Sequence, residues 1–139
     1  MNNPTAPTKT TTVVVTSFGY GHPLDPPTAD ITFDVRTSLR NPHHDPAMRE
    51  LNGLDAVVRE HVLTTVGAGD TVRALASAAT HLLPVYDRPG GRPIQVAIGC
   101  VGGRHRSVAL AEAVADLLRR TQVSAAVTHR DITKPVIQK

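Results

Sequence analysis

The sequence predicts an α/β domain built on a mainly parallel sheet flanked by helices. Three observations carry this. β-Branched apolar runs at residues 12–18 and 94–98 are separated by stretches with helical apolar spacing. The second run leads through a glycine-rich segment into another helical stretch, the order of a βα unit. A length of 139 residues suits one domain of this kind.

In chain order, residues 1–11 read as a disordered tail, residues 12–132 as the domain, and residues 133–139 as a second tail. Thr12 to Phe18 is a buried strand. Residues 19–29 hold Gly19, Gly21, Pro23, Pro26 and Pro27 and form a loop. Ile31 to Val35 alternates apolar and polar residues, as a strand does. Residues 36–53 lack periodicity and contain Pro42, Pro46 and Gly53, which predicts a long, functional loop. Leu54, Val57, Val58, His61 and Val62 share one helix face. Asp70 caps a second helix bearing Val72, Leu75, Ala79, Leu82 and Leu83, which stops near Pro84. Asp87 to Pro93 is a turn, and Ile94 to Ile98 a strand. Val108, Ala111, Ala115 and Leu118 mark a third helix, and Val123 to Val127 a last strand.

Composition narrows the possibilities. Apolar residues make up 40% but aromatics only 3%, so the core is aliphatic. No apolar run approaches the length of a membrane span, and Met1 to Thr12 lacks the features of a secretory signal. With one cysteine, Cys100, no internal disulfide can form, which agrees with a cytoplasmic setting. The net charge is +3, and of the 15 basic residues only Lys9, Lys134 and Lys139 are lysines. Arginine presents a planar fork that matches phosphate oxygens.

The segment Gly99-Cys100-Val101-Gly102-Gly103-Arg104-His105-Arg106-Ser107 carries the chemistry. It joins a strand to a helix, where unpaired N–H groups and the helix dipole favour an anion. Gly102 and Gly103 let successive N–H groups turn inward. Arg106 supplies a fork, His105 a donor or proton carrier, and Ser107 a cap that also touches the ligand. Cys100, five residues, then Arg106 is also the spacing of cysteine-dependent phosphatases, with Cys100 as nucleophile, Arg106 on the phosphate and Asp34 as the third catalytic candidate of that reading.

The same loop, Val96-Ala97-Ile98-Gly99-Cys100-x-Gly102-Gly103-x-His105-Arg106-Ser107-Val108, resembles the C-terminal domain of the RapZ/YvcJ family of RNase adapter proteins. Thr16 to Tyr20, Phe33 to Arg36, Asn41-Pro42-His43, Leu51-x-Gly53-Leu54-Asp55 and His129-Arg130-Asp131 extend the resemblance, in the family's order, over about residues 13–131. It implies a phosphofructokinase-like half-domain that binds an amino-sugar phosphate, glucosamine-6-phosphate, and in some relatives a small RNA presented to RNase E. The loop positions carried over are Cys100, Gly102, Gly103, His105 and Arg106, with Val101 and Ser107 as further ligand-binding candidates of the loop. Asp34, Arg36 and His43 are expected at the same pocket, where Asp34 either holds a sugar hydroxyl or amine or pairs with Arg36 as a structural bridge. The family's usual threonine after the cysteine is Val101 here, its residues before Asn-Pro-His are replaced at Leu39-Arg40, and only Lys134 and Lys139 remain of a basic C-terminal cluster. The Gly-x4-Gly-Lys-Ser/Thr of the family's nucleotide-binding domain does not occur in the sequence, so the family's name carries no ATP or GTP hydrolysis here.

Two function classes follow. One is a regulatory domain sensing a phosphorylated ligand, with RNA or a protein as partner and oligomerisation left open. The other is a phosphatase acting on a small phosphoester. No cofactor, no metal and no membrane partner is expected: His43 and His44 are adjacent, and no spaced His or Cys ligand pairs occur.

Overall fold

A computed structural model describes residues 12–86 and 91–137. The predicted tail at 1–11 and most of the turn at 87–93 lie outside the described residues. Four strands, β1 (Val13–Gly19), β2 (Ile31–Asp34), β3 (Ile94–Cys100) and β4 (Ala125–His129), form one sheet in the order β2-β3-β1-β4. All three pairings are parallel. β1 and β3 run in register from Val13 opposite Ile94 to Gly19 opposite Cys100, so both strands end side by side.

The helices are α1 (Pro46–Arg49), α2 (Ala56–Leu63), α3 (Ala68–Tyr86) and α4 (Arg106–Arg120). Strand alternation sends Val13 and Val15 of β1, and Ile94, Val96 and Ile98 of β3, into one core with Leu75, Ala76 and Ala79 of α3 and Leu110, Val114 and Leu118 of α4. Most of these side chains are fully buried. A smaller cluster of Met48, Val58, Val62 and Ala109 fixes α1 and α2 against the start of α4. The parallel sheet flanked by helices agrees with the sequence reading.

Several boundaries differ from that reading. The long loop at 36–53 contains a 3-10 turn at Pro42–His44 and the short helix α1, each opened by a side-chain cap, Asn41 to His43 N–H and Asp45 to Ala47 N–H. Four-residue elements are too short to show periodicity, and their signal was the Asn-Pro and Asp-Pro pairs. Only Val58 and Val62 of α2 are buried; Leu54 and Val57 are more than half exposed. α3 passes through Pro84 to Tyr86, because a proline within the last turn costs one bond near an end that frays anyway. Asp70 lies inside the first turn of α3 rather than capping it. β4 begins at Ala125, two residues later than predicted, because Gln122 takes a positive φ that turns the chain out of α4.

The core makes a direct prediction. Leu118→Ala, at a fully buried position, should cost about 2–5 kcal/mol in urea unfolding. Val57→Ala, at a position 56% exposed, should stay within about 0.5 kcal/mol of wild type.

Candidate functional site

The parallel register places the carboxyl ends of β1, β2 and β3 together, the edge where open α/β sheets bind ligands. The loop from Val101 to His105 lies directly on the end of β1. A Cβ on Gly19 would come within 2.5 Å of the Gly102 carbonyl carbon, and a Cβ on Gly103 within 2.6 Å of Gly19 N. Gly103 also has φ +69, so glycine is required there on both counts.

Asp131 holds this crossing from behind. It is fully buried, and its carboxylate accepts the Gly19 N–H at 2.7 Å together with bonds from Arg130 and Lys134. Burial pushes the Asp131 carboxyl up, but those donors overcome it and hold it at about 2. Arg130 continues to the carbonyls of Asp25 and Gly19. Beside it, His129 Nε2 donates to Glu112 at 2.7 Å and Nδ1 meets the buried Ser17 hydroxyl at 2.6 Å. The His129-Arg130-Asp131 segment thus supports the site from behind.

Cys100 is 3% exposed at the centre of the loop. Its sulfur accepts the Gly103 N–H at 3.2 Å and lies 3.1 Å from the Ser107 hydroxyl. Ser107 therefore bonds the thiol and does not cap α4, whose N-cap position, His105, makes no side-chain cap bond. Among the described residues, the N–H groups of Val101, Gly102, Arg104 and His105 take no main-chain acceptor. A helix start without a cap, preceded by unpaired N–H groups, carries partial positive charge.

Arg106 adds a full charge. It is 4% exposed, and its Nη1 donates to the carbonyls of Val35, Arg36 and Ser38 at 3.1, 2.9 and 3.2 Å. Its Nε is buried with no partner. Burial pulls the guanidinium below its ordinary value, opposed by Cys100 and Asp34, yet arginine keeps its charge in such settings. His105 is buried too, and Nε2 donates to the Met48 and Arg49 carbonyls. Burial pulls its pKa down, which keeps the ring neutral and its role one of anchoring α1.

A cleft opens here, lined by Asn41, His43, Cys100, Val101, Gly102 and Arg104 to Arg106 together with Val136 and Ile137 of the C-terminal segment. Of the predicted ligand residues, Cys100, Val101, Gly102, His105, Arg106 and His43 line it, whereas Gly103 and Ser107 lie behind the sulfur. Asp34 and Arg36 do not line it. They form a bidentate pair with Arg36 Nη2 2.7 Å from Asp34, and Arg36 stacks 3.8 Å over the Tyr20 ring. The Arg36 hydrogen bonds hold the Asp34 carboxyl below its ordinary value. The sequence reading missed Asn41, Arg104, Val136 and Ile137. Arg104 leaves the glycine loop to bond the carbonyls of Glu50, Leu51 and Lys134, and a predicted tail at 133–139 gave no sign of folding back. Among the described residues no group of three or more His, Cys, Asp or Glu side chains could hold a metal, and no helix is long and apolar enough to cross a membrane.

The family model of the RapZ C-terminal domain matches residues 11–133, nearly the whole described chain. The chain belongs to the RapZ C-terminal domain family. Similar relatives are each named a nucleotide-binding protein. That of Rhodospirillum centenum is 47% identical over 122 residues, 88% of this chain and 36% of the relative. That of Nitratidesulfovibrio vulgaris is 44% identical over 86% of this chain and 39% of the relative. That of Mycobacterium leprae (strain TN) is 46% identical over 88% of this chain and 41% of the relative. The chain thus spans about two-fifths of the length of the curated relatives it matches.

Acid should expose the Asp131 support. Asp131 is held at about 2, and so is Asp30, whose carboxylate takes Arg92, the Gln95 N–H and the Tyr86 hydroxyl against the effect of burial. The ordinary value is 3.8, so each carboxyl binds fewer protons folded than unfolded. Its stabilisation is complete above about pH 4 and is lost as the pH falls toward 2. Urea midpoints should therefore fall steeply below about pH 4, and Asp131→Asn should lower the neutral-pH midpoint while flattening that acid limb. An unchanged limb would contradict the placement of Asp131.

Proposed function

We propose that this domain binds a phosphorylated small metabolite in the cleft at residues 99–107 and serves as a ligand-sensing domain of adapter type. The observation that carries the reading is Arg106. It is a nearly fully buried guanidinium with an unpartnered Nε, in a cleft that also receives the uncapped start of α4. A buried donor without an acceptor is costly, and a ligand oxygen relieves the cost. The unpaired N–H groups of Gly102, Arg104 and His105 suit the remaining phosphate oxygens.

The body of the ligand is a phosphorylated amino sugar or close relative on this reading, with family membership as its support and Asn41 and His43 as the polar groups beside the phosphate position. Asp34 and Arg36 take part only if a ligand reaches past the cleft, because they already satisfy each other. Val101 supplies no hydroxyl at the loop, so its N–H alone serves the ligand there. RNA or a protein is the partner class that an adapter implies, with RNA binding weak and salt-sensitive at a net charge of +3. The setting is cytoplasmic on this reading.

The phosphatase alternative rests on the Cys100 sulfur, which takes a loop N–H as a thiolate would. Against it, Asp34, its candidate catalytic carboxylate, is committed to Arg36, and no Asp or Glu lines the cleft among the described residues.

Calorimetry with inorganic phosphate tests the site. Arg106→Lys keeps the charge but loses the fork, and should weaken binding by about 1.5–3 kcal/mol while circular dichroism reports an intact fold. Cys100→Ser should bind within about tenfold of wild type, or about 1.4 kcal/mol. Turnover of an aryl phosphate by wild type, abolished in Cys100→Ser, would give the site to the phosphatase.

A further inference from the structure

The two walls of the cleft are held in different ways. On the polar wall Arg106 spans three carbonyls, Arg104 two, and His105 two. These bonds tie β2, α1 and the loop at 50–53 to the start of α4. The apolar wall is formed by Val136 and Ile137 of the C-terminal segment, with Val101 of the glycine loop near Ile137 around Gly21. Among the described residues that segment is pinned by hydrogen bonds only at its beginning. The Lys134 N–H donates to the Asp131 carbonyl at 3.1 Å, its ammonium reaches the Asp131 carboxylate, and its carbonyl accepts Arg104. Pro135 then has no N–H to give. Among the described residues, neither Val136 nor Ile137 makes a hydrogen bond. Packing alone holds them, with Ile137 Cδ1 so close to Gly21 that a Cβ there would lie 2.5 Å away.

The cavity between these walls is about 30 Å³, room for a water or two and far too little for a sugar ring. A phosphate ester whose sugar-sized body is to be enclosed between these walls must therefore move one of them. Moving the polar wall breaks side-chain bonds to main-chain carbonyls, of which those of His105 to Met48 and Arg106 to Val35 are buried and would be left unmade. Swinging Val136 and Ile137 about Pro135 breaks none among the described residues.

We propose that Val136 and Ile137 are specificity-determining residues, a movable apolar wall that admits a small anion with little displacement and a sugar phosphate only by swinging away. The proposal rests on the reading of the cleft as an anion site. The segment holds the binding-competent form to a fraction of the population, and a ligand larger than phosphate is penalised by that fraction. Side-chain volume at 136 and 137 then sets the ratio of affinities between inorganic phosphate and its sugar esters.

Calorimetry on the whole chain with inorganic phosphate and with glucosamine 6-phosphate measures this ratio. The double variant Val136→Ala, Ile137→Ala should bind the sugar phosphate about fivefold or more tighter, with phosphate affinity within about twofold. Ile137→Trp should shift the ratio the other way. The sequence contains no tryptophan, so Val136→Trp gives a single emission band. That band should move to the red on addition of the sugar phosphate and stay in place with phosphate. Equal changes for both ligands, an unchanged ratio, or a sugar phosphate bound by neither wild type nor the double variant would overturn the movable wall. Failure of wild type to bind phosphate at all would overturn the anion site itself, and the wall with it.

Discussion

A buried guanidinium organises the carboxyl edge of this sheet. Arg106 sits at the first position of α4, 4% exposed, with no carboxylate within ion-pair distance among the described residues. Removing such a charge from water is expensive, and the chain meets the cost with three carbonyls from the turn after β2. The consequence runs in both directions. The carbonyls localise the charge, and the charge fixes a turn that leads to Asn41 and His43. Partial negative charge on carbonyls offsets only part of a full positive one, so the cleft keeps a positive potential beside the uncapped start of α4. An anion is the complement of that field.

The support behind the cleft follows from the same geometry. A loop that delivers Arg106 to this place must cross the end of β1 at backbone contact, which Gly19 and Gly103 permit. Such a crossing needs a buried partner for the Gly19 N–H, and Asp131 provides it. Asp131 in turn requires Arg130 and Lys134 to stay ionised, and Lys134 directs the chain back over the cleft. The bonds from Ser17 through His129 to Glu112 lock α4 to β1 and β4 beneath the loop. Three short segments far apart in sequence thus converge because each satisfies a polar group that another leaves buried.

Much of this was legible in the sequence, and the reason is periodicity. Val13 to Phe18 and Ile94 to Ile98 are runs that few conformations other than a buried strand accommodate, and the α4 face of Val108, Ala111, Ala115 and Leu118 lies in the core as spaced. The glycine loop stood out because glycine, arginine and histidine cluster where a strand meets a helix. What escaped depends on tertiary closure. Nothing local in Val136 and Ile137 says that they return to the cleft. On sequence alone Asp34 could hold a ligand or pair with Arg36, and only the fold decides for the pair. Ser107 looked like a cap because serine commonly is one, and the sulfur of Cys100 competed for its hydroxyl. The short turns at 42–49 were written in capping residues, a signal weaker than periodicity over so few residues.

The account comes down to whether an anion meets the Arg106 side chain at the start of α4. Nitrogen-15 NMR of the arginine Nε–H groups, followed during a phosphate titration, observes that contact without altering the protein. The Arg106 Nε–H and the amides of Gly102, Arg104 and His105 should shift together and saturate with one dissociation constant, while the Arg36 Nε–H, committed to Asp34, stays in place. An Arg106 signal that ignores phosphate, or shifts confined to exposed arginines such as Arg73 and Arg120, would contradict it.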